Sequence, residues 1–255
     1  MSTTFLEMTN EILVELNEVL LTSITFASAT NIQKAVQNFI NKAYFEICTS
    51  HYGWPFLALT NSQEPFFGNT YVETIAGTRW YLLNPSRSTQ DDDYSYVSWD
   101  RFYATTKGVS GEVAPYSSNR LRFVDHDFWM RYFKDGDDAD LNSSTFTGGV
   151  PRFVIRNPDN IRFGLSPVPD KVYRVYFYAY SQPQKMSVYS DYLPIPDRYI
   201  PVVLARARYY AWQYKENYQQ AGFAADDYKK GLRQMREELV ESPPDFFSDD
   251  RMFSY

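Results

Sequence analysis

The stretch "HYGWPFL", His51 to Leu57, is where the hydrophobic period of the chain changes. Before it, apolar residues recur at helical intervals. After it, they come in short alternating runs. Gly53 is a natural helix stop, and Pro55 lacks the amide that a further turn would need, so a helix has to end inside this stretch. Trp54 and Phe56 flank the proline as large apolar side chains. The reading adopted is an anchor of Trp54, Pro55 and Phe56 at a helix-to-β junction, Pro55 fixing the exit of the chain and His51 acting as a capping or surface residue. A ligand groove or an active site is the competing reading of the same cluster.

Upstream, two amphipathic helices are expected. Thr4 and Glu7 have capping-box spacing, and Phe5, Met8, Ile12, Leu16, Val19 and Leu20 follow at helical intervals. Glu7, Glu11, Glu15 and Glu18 fall on the other side as an acidic face. "SITFASAT" interrupts the pattern. Thr30 and Gln33 repeat the capping spacing, and Ile32, Val36, Phe39, Ile40, Ala43, Tyr44 and Ile47 form a second stripe.

Downstream, from about Leu59 to Tyr189, short strands alternate with Gly, Pro, Asn and Asp. "TYVETIAGTRWYLL" reads as strand, turn at Ala76-Gly77, strand. "RNPDN" is a hairpin turn between "FVI" and "IRF". In "KVYRVYFYAYSQP", Tyr173, Val175, Phe177 and Ala179 form an apolar face, and Val172, Arg174, Tyr176, Tyr178 and Tyr180 the other. "DHDFWMRYF" reads as a short helix on the sheet. After "DYLPIPDRY", Tyr199, Val202, Val203, Ala205, Tyr209, Ala211 and Trp212 mark a long helix. A break is placed near Ala221-Gly222, and Tyr228, Leu232, Met235 and Leu239 mark another helix. Residues 1–57 hold five acidic against two basic side chains, and residues 194–240 hold six against eight. Opposite signs suit helices that pack together, within one subunit or between neighbours.

The expected fold class is α+β. Residues 1–57 and 194–241 form a discontinuous helical bundle, 58–193 a mainly antiparallel β-domain, and 242–255 an extended C-terminal tail. That tail, "ESPPDFFSDDRMFSY" with the Glu241 before it, carries Pro243, Pro244, Phe246, Phe247, Met252, Phe253 and Tyr255 among acids. Such a proline-started segment gains most by inserting its large side chains into grooves of a partner.

Composition narrows the function classes. The 255 residues suffice for a core without disulfide or metal, and the single Cys48 lies on an apolar helix side, as a small buried hydrophobe does. The start of the chain lacks the features of a signal peptide, and no window reads as a membrane span. A net charge of −6 with mixed signs argues against a tight general grip on nucleic acid. Aromatic content is high, with 22 Tyr, 19 Phe and 5 Trp, which favours β-structure and large contact surfaces.

Chemistry-bearing motifs are scarce. The two histidines, His51 and His126, belong to no zinc spacing, and no Walker, G-x-S-x-G, HExxH or dinucleotide pattern occurs. His126 between Asp125 and Asp127 reads as a surface turn rather than a base or metal site. "DGDDAD", Asp135 to Asp140, and "QDDDY", Gln90 to Tyr94, lack calcium-loop register and read as solvated acidic loops. "NSS" at Asn142 matches a glycosylation acceptor by chance. No catalytic, cofactor-binding or metal residue is assigned. Paired carboxylates in an aromatic cleft remain the form a hidden glycosidase would take.

Three stretches carry a resemblance. "TFLEMTNEILVELNEV", "VQNFINKAYFEICTSHYGWPFL", and "IRFGLSPVPDKVYRVYFYAYSQP" followed by "LPIPDRY" resemble the head-to-tail adaptors of tailed bacteriophages, including the tail tubular protein A group. They cover about half of the chain, at its two ends. The resemblance implies a non-enzymatic, dodecameric ring in the virion neck, assembled in the host cytoplasm. Its partners would be its own copies, the portal protein, and tail nozzle, tube or fibre proteins, with genomic DNA passing through unbound and no membrane. The segment Pro243–Tyr255 would dock on the portal. The acidic face of Glu7, Glu11, Glu15 and Glu18 is one candidate for the channel wall, and exposure to solvent or salt bridges to basic helices of a neighbouring subunit are the alternative. Another neck or tail component, such as a tail-completion or nozzle-associated protein, and a carbohydrate-binding or hydrolytic β-domain are the competing functions.

Overall fold

In a computed structural model, the described residues are 3–61, 68–86, 94–106, 109, 119–137 and 148–240. The fold is mixed α+β and divides into two units: the described residues of Met1–Leu57 with Pro183–Tyr255, and those of Ala58–Gln182.

The first unit is helical. Helix α1, Phe5–Glu15, starts on a complete capping box, Thr4 Oγ1 accepting from the Glu7 amide while Glu7 accepts from the Thr4 amide. Phe5, Met8, Ile12 and Leu13 are buried on one face. The helix ends sooner than its stripe predicts. Asn17 turns the chain with φ 54°, and Val19 and Leu20 stand 76% and 50% exposed instead of joining Leu16 in the core. The loop that follows is held by side chains: Asn10 both donates to the Leu21 carbonyl and accepts from its amide, each at 2.9 Å.

Helix α2, Asn31–Ser50, buries Val36, Ile40, Ala43, Tyr44, Ile47 and Cys48. Its expected capping box is absent. Thr30 makes no side-chain cap, and Gln33 reaches instead to the Val19 carbonyl at 2.9 Å. Asn31, at φ 48°, turns the chain at that helix start. Helix α4, Ile200–Tyr214, packs against α1, α2 and helix α5, Tyr218–Leu239. The break between these last two helices falls at Lys215–Asn217, not at Ala221-Gly222. Glu216 takes φ 58°, and Asn217 caps α5 by accepting from the Gln220 amide, whereas Gly222 lies inside α5.

The second unit is built on a seven-stranded sheet of order β1-β8-β4-β5-β6-β7-β2, antiparallel except for β5 against β6. In chain order the strands are β1 Thr70–Glu73, β2 Trp80–Leu82, β4 Phe102–Thr105, β5 Asn119–Val124, β6 Phe153–Arg156, β7 Arg162–Ser166 and β8 Arg174–Phe177. A separate pair joins β3, Tyr94–Val97, to β9, Ala179–Ser181. The turn of "TYVETIAGTRWYLL" exists, with Gly77 at φ 77°, yet β1 and β2 do not pair. They occupy opposite edges, on β8 and β7. Strands β6 and β7 form the expected hairpin, with Asp159 accepting from the Ile161 and Arg162 amides.

One face of the sheet carries the core of this unit: Val72, Tyr81, Phe102, Leu121, Val154, Phe163, Leu165, Val175 and Phe177. The rings of Phe102 and Phe177 stack at 4.9 Å. On the other face, helix α3, His126–Tyr132, seats Trp129 against Val124 and Ile155. Tyr176, expected on the open face of its strand, is only 2% exposed.

Candidate interaction surfaces

The end of α2 shows how "HYGWPFL" folds. Trp54 has no exposed surface, and its indole Nε1 donates to the Ile47 carbonyl at 2.8 Å. Ser50 Oγ donates to the same carbonyl at 2.7 Å, and Arg236 of α5 donates to the Ser50 carbonyl at 2.9 Å. Carbonyls that a helix end leaves open are thus met by side chains. Pro55–Leu57 forms a single 3₁₀ turn that brings Phe56 over Trp54, stacked at 5.5 Å. His51 sits at the cap position of α2, and its Nδ1 accepts from the Gly53 amide at 3.0 Å. Its ring packs edge-on against Trp54.

Cys48 is buried beside Tyr44, and burial pushes its thiol up to about 12, far from a thiolate at neutral pH. Asp125 caps α3 by accepting from the Asp127 amide, and the His126 ring lies near those of Trp80 and Trp129. Asp137 is 7% exposed and accepts from Trp129 Nε1 at 2.8 Å and Ser166 Oγ at 3.1 Å. Its carboxylate is occupied by the fold rather than presented to a cation. Among the described residues no cluster of His, Cys, Asp and Glu has the geometry to hold a metal ion. Asp138–Asp140, Asn142, most of "QDDDY" and the whole of Pro243–Tyr255 lie outside the described residues.

The acids of the first segment are spoken for. Glu7 closes the capping box, Glu11 and Glu15 both meet Arg208 of α4, at 2.8 and 2.7 Å, and Glu18 meets Lys215. Where salt bridges to a neighbouring subunit were one expectation for this face, three of its four acids meet two basic side chains of the same chain, Arg208 and Lys215. A second network surrounds Arg206. It pairs with Glu46 at 2.6 Å, and its guanidinium lies over the rings of Tyr209, Tyr210 and Tyr228 at 4.7, 4.9 and 5.0 Å.

The helical unit also leaves several large apolar side chains exposed. Val14, Val19, Leu20 and Ile24 are 61%, 76%, 50% and 89% exposed, around the loop that Asn10 and Gln33 pin in place. At the end of α4 and start of α5, Tyr214, Tyr218 and Phe223 are exposed as well. An immobilised loop that offers aliphatic side chains to water has the physical form of a docking surface.

Residues 3–245 match a family model described as SU10 adaptor protein. The chain belongs to that family, a family of phage head-to-tail adaptors. No curated protein matches the chain. The match spans both units, including the middle β-region that the three adaptor-like stretches do not reach. The likeness to the tail tubular protein A group rests on those stretches alone. No described helix is long and apolar enough to cross a membrane. The exposed loop at Val19–Ile24 is hidden in the sequence because Val19 and Leu20 fit a helical stripe. The signal that finds it is Asn17, a residue tolerant of a left-handed turn, just where the stripe would continue.

Proposed function

We propose that the chain is the subunit of a head-to-tail adaptor ring in the virion neck, joining the portal to the tail and prolonging the DNA channel. The match over residues 3–245 carries this reading. The exposed aliphatics of a pinned loop support it, because a ring subunit needs a rigid apolar surface that the isolated chain leaves open. Copies associate through the helical unit, whose helices form a bundle, into a dodecameric ring assembled in the host cytoplasm. Trp54, Pro55 and Phe56 anchor the junction from which the β-unit departs toward tail nozzle, tube or fibre proteins. The extended tail docks Phe246, Phe247, Met252, Phe253 and Tyr255 on the portal protein, with Pro243 and Pro244 stiffening its start. DNA passes through without specific binding, in keeping with the net charge of −6. The role requires no cofactor and no catalysis. Sedimentation of the purified chain with and without portal protein tests it: a portal-dependent ring is expected. Absence of any association with portal, together with absence from the neck in images of intact particles, overturns it.

A further inference from the structure

We propose that the groove beside the parallel pair β5–β6 is a docking site for an acidic polypeptide segment with an apolar side chain, supplied by another protein. The groove, of about 600 Å³, is lined by Asn119, Arg120, Arg122, Val150, Pro151, Arg152 and Phe153. Three of its lining residues are arginines, and none of its described lining residues is acidic. Elsewhere arginines of this chain meet acids: Arg162 with Asp159, Arg174 with Glu73, Arg206 with Glu46, Arg208 with Glu11 and Glu15. The side chains of Arg122 and Arg152, both exposed, have no hydrogen-bond or ion-pair partner among the described residues.

Their backbones are fixed close together, since the Arg122 amide donates to the Arg152 carbonyl at 2.9 Å. Arg120 is held in place by two bonds to the Asp100 carbonyl, from Nε at 3.2 Å and Nη2 at 2.9 Å. Like charges on neighbouring strands repel, and a carboxylate-bearing partner relieves that repulsion through forked charge-assisted bonds. The lining also decides between two anionic partners. Val150, 40% exposed, and half-buried Phe153 offer apolar contact that a peptide side chain fills and a sugar-phosphate backbone does not. The inference stands apart from the adaptor reading, and either can fail alone.

The test follows the arginine Nε–H resonances of the full chain by NMR while three probes are titrated at matched ionic strength. The probes are a capped Asp-Phe-Asp-Phe-Asp peptide, inorganic phosphate and a short DNA duplex. The peptide is expected to shift Arg122 and Arg152 at a concentration at least ~tenfold lower than either other probe, a difference of about 1.4 kcal/mol. Arg122→Gln with Arg152→Gln is expected to abolish peptide binding, and Arg152→Lys, which keeps the charge without the fork, to weaken it. Three results overturn the proposal: a peptide that moves neither resonance, phosphate or DNA acting at equal or lower concentration, and unchanged peptide binding by the double variant.

Discussion

Arg206 of α4 and Glu46 of α2 face each other at 2.6 Å, and this ion pair is roofed by tyrosine rings rather than left to water. Tyr210 also donates to Glu46, so one carboxylate ties two side chains of α4 to α2. Burial of Glu46 opposes its charge. The bonds from Tyr210 and Arg206 outweigh that cost and hold its carboxyl below the ordinary value.

The first prediction is a pH dependence. A carboxyl lowered in the folded state contributes stability above the ordinary carboxylate value, and that contribution is lost as pH falls through its lowered value. Urea unfolding of the wild type should therefore weaken in the acid range below about pH 4.5, with Glu46→Gln showing a smaller acid-side fall. At neutral pH the variant should lose roughly 2 kcal/mol, between the small value of an exposed pair and the several kcal/mol of a buried one. Equal stability of variant and wild type at pH 7 would refute the pairing.

A second prediction concerns the anchor. Trp54→Ala removes a fully buried side chain and the indole donor to Ile47, and should cost about 3–5 kcal/mol in urea unfolding. Trp54→Phe loses the donor but keeps part of the packing against Phe56, so a smaller cost is expected. If both variants melt with the wild type, Trp54 does not hold the end of α2.

The loop at Val19–Ile24 yields a third. Asn10→Ala removes both bonds to Leu21 and should cost roughly 1–3 kcal/mol. The distinguishing readout is hydrogen exchange: the Leu21 amide, whose bond goes to Asn10, should exchange faster in the variant while amides inside α1 keep their protection. Uniform acceleration along α1 would mean that Asn10 supports the helix rather than the loop.

These contacts show which parts of the architecture are readable from residues alone. Local signals with one strong partner are legible. Thr4 with Glu7, the hairpin turn at Asp159, and the end of α2 before Gly53 follow from neighbours in sequence. Signals that depend on distant partners are not. Gln33 has capping-box spacing, but the Val19 carbonyl competes for its side chain and wins. Strands β1 and β2 share a good turn, but each finds a better edge on β8 and β7. The sequence points to a break between α4 and α5 near Ala221-Gly222. A left-handed Glu216, which has no glycine signature, makes the real one. The partners of Glu11, Glu15 and Glu18 lie almost two hundred residues away, so their acidic face could not be told from a channel wall. The groove arginines sit on β5 and just before β6, parallel neighbours whose pairing no sequence period reveals.

The last prediction separates folding from attachment. In both units the described core is closed by residues that precede Glu241: Met235 is fully buried on α5, and Arg236 and Glu238 reach back to Ser50 and Tyr199. Removing 242–255 leaves each of these contacts in place. A chain ending at Glu241 should unfold at the wild-type urea midpoint and keep the wild-type far-UV spectrum. The same deletion removes Phe246, Phe247, Met252, Phe253 and Tyr255, the large apolar side chains assigned to the portal. Contacts of that kind concentrate binding energy in a few buried aromatics, so their joint loss should reduce portal binding to background rather than by a graded amount. Surface plasmon resonance against immobilised portal, with the full chain and the truncated one run in parallel, reads this directly. Wild-type affinity in the truncated chain would transfer portal docking from the tail to the folded units.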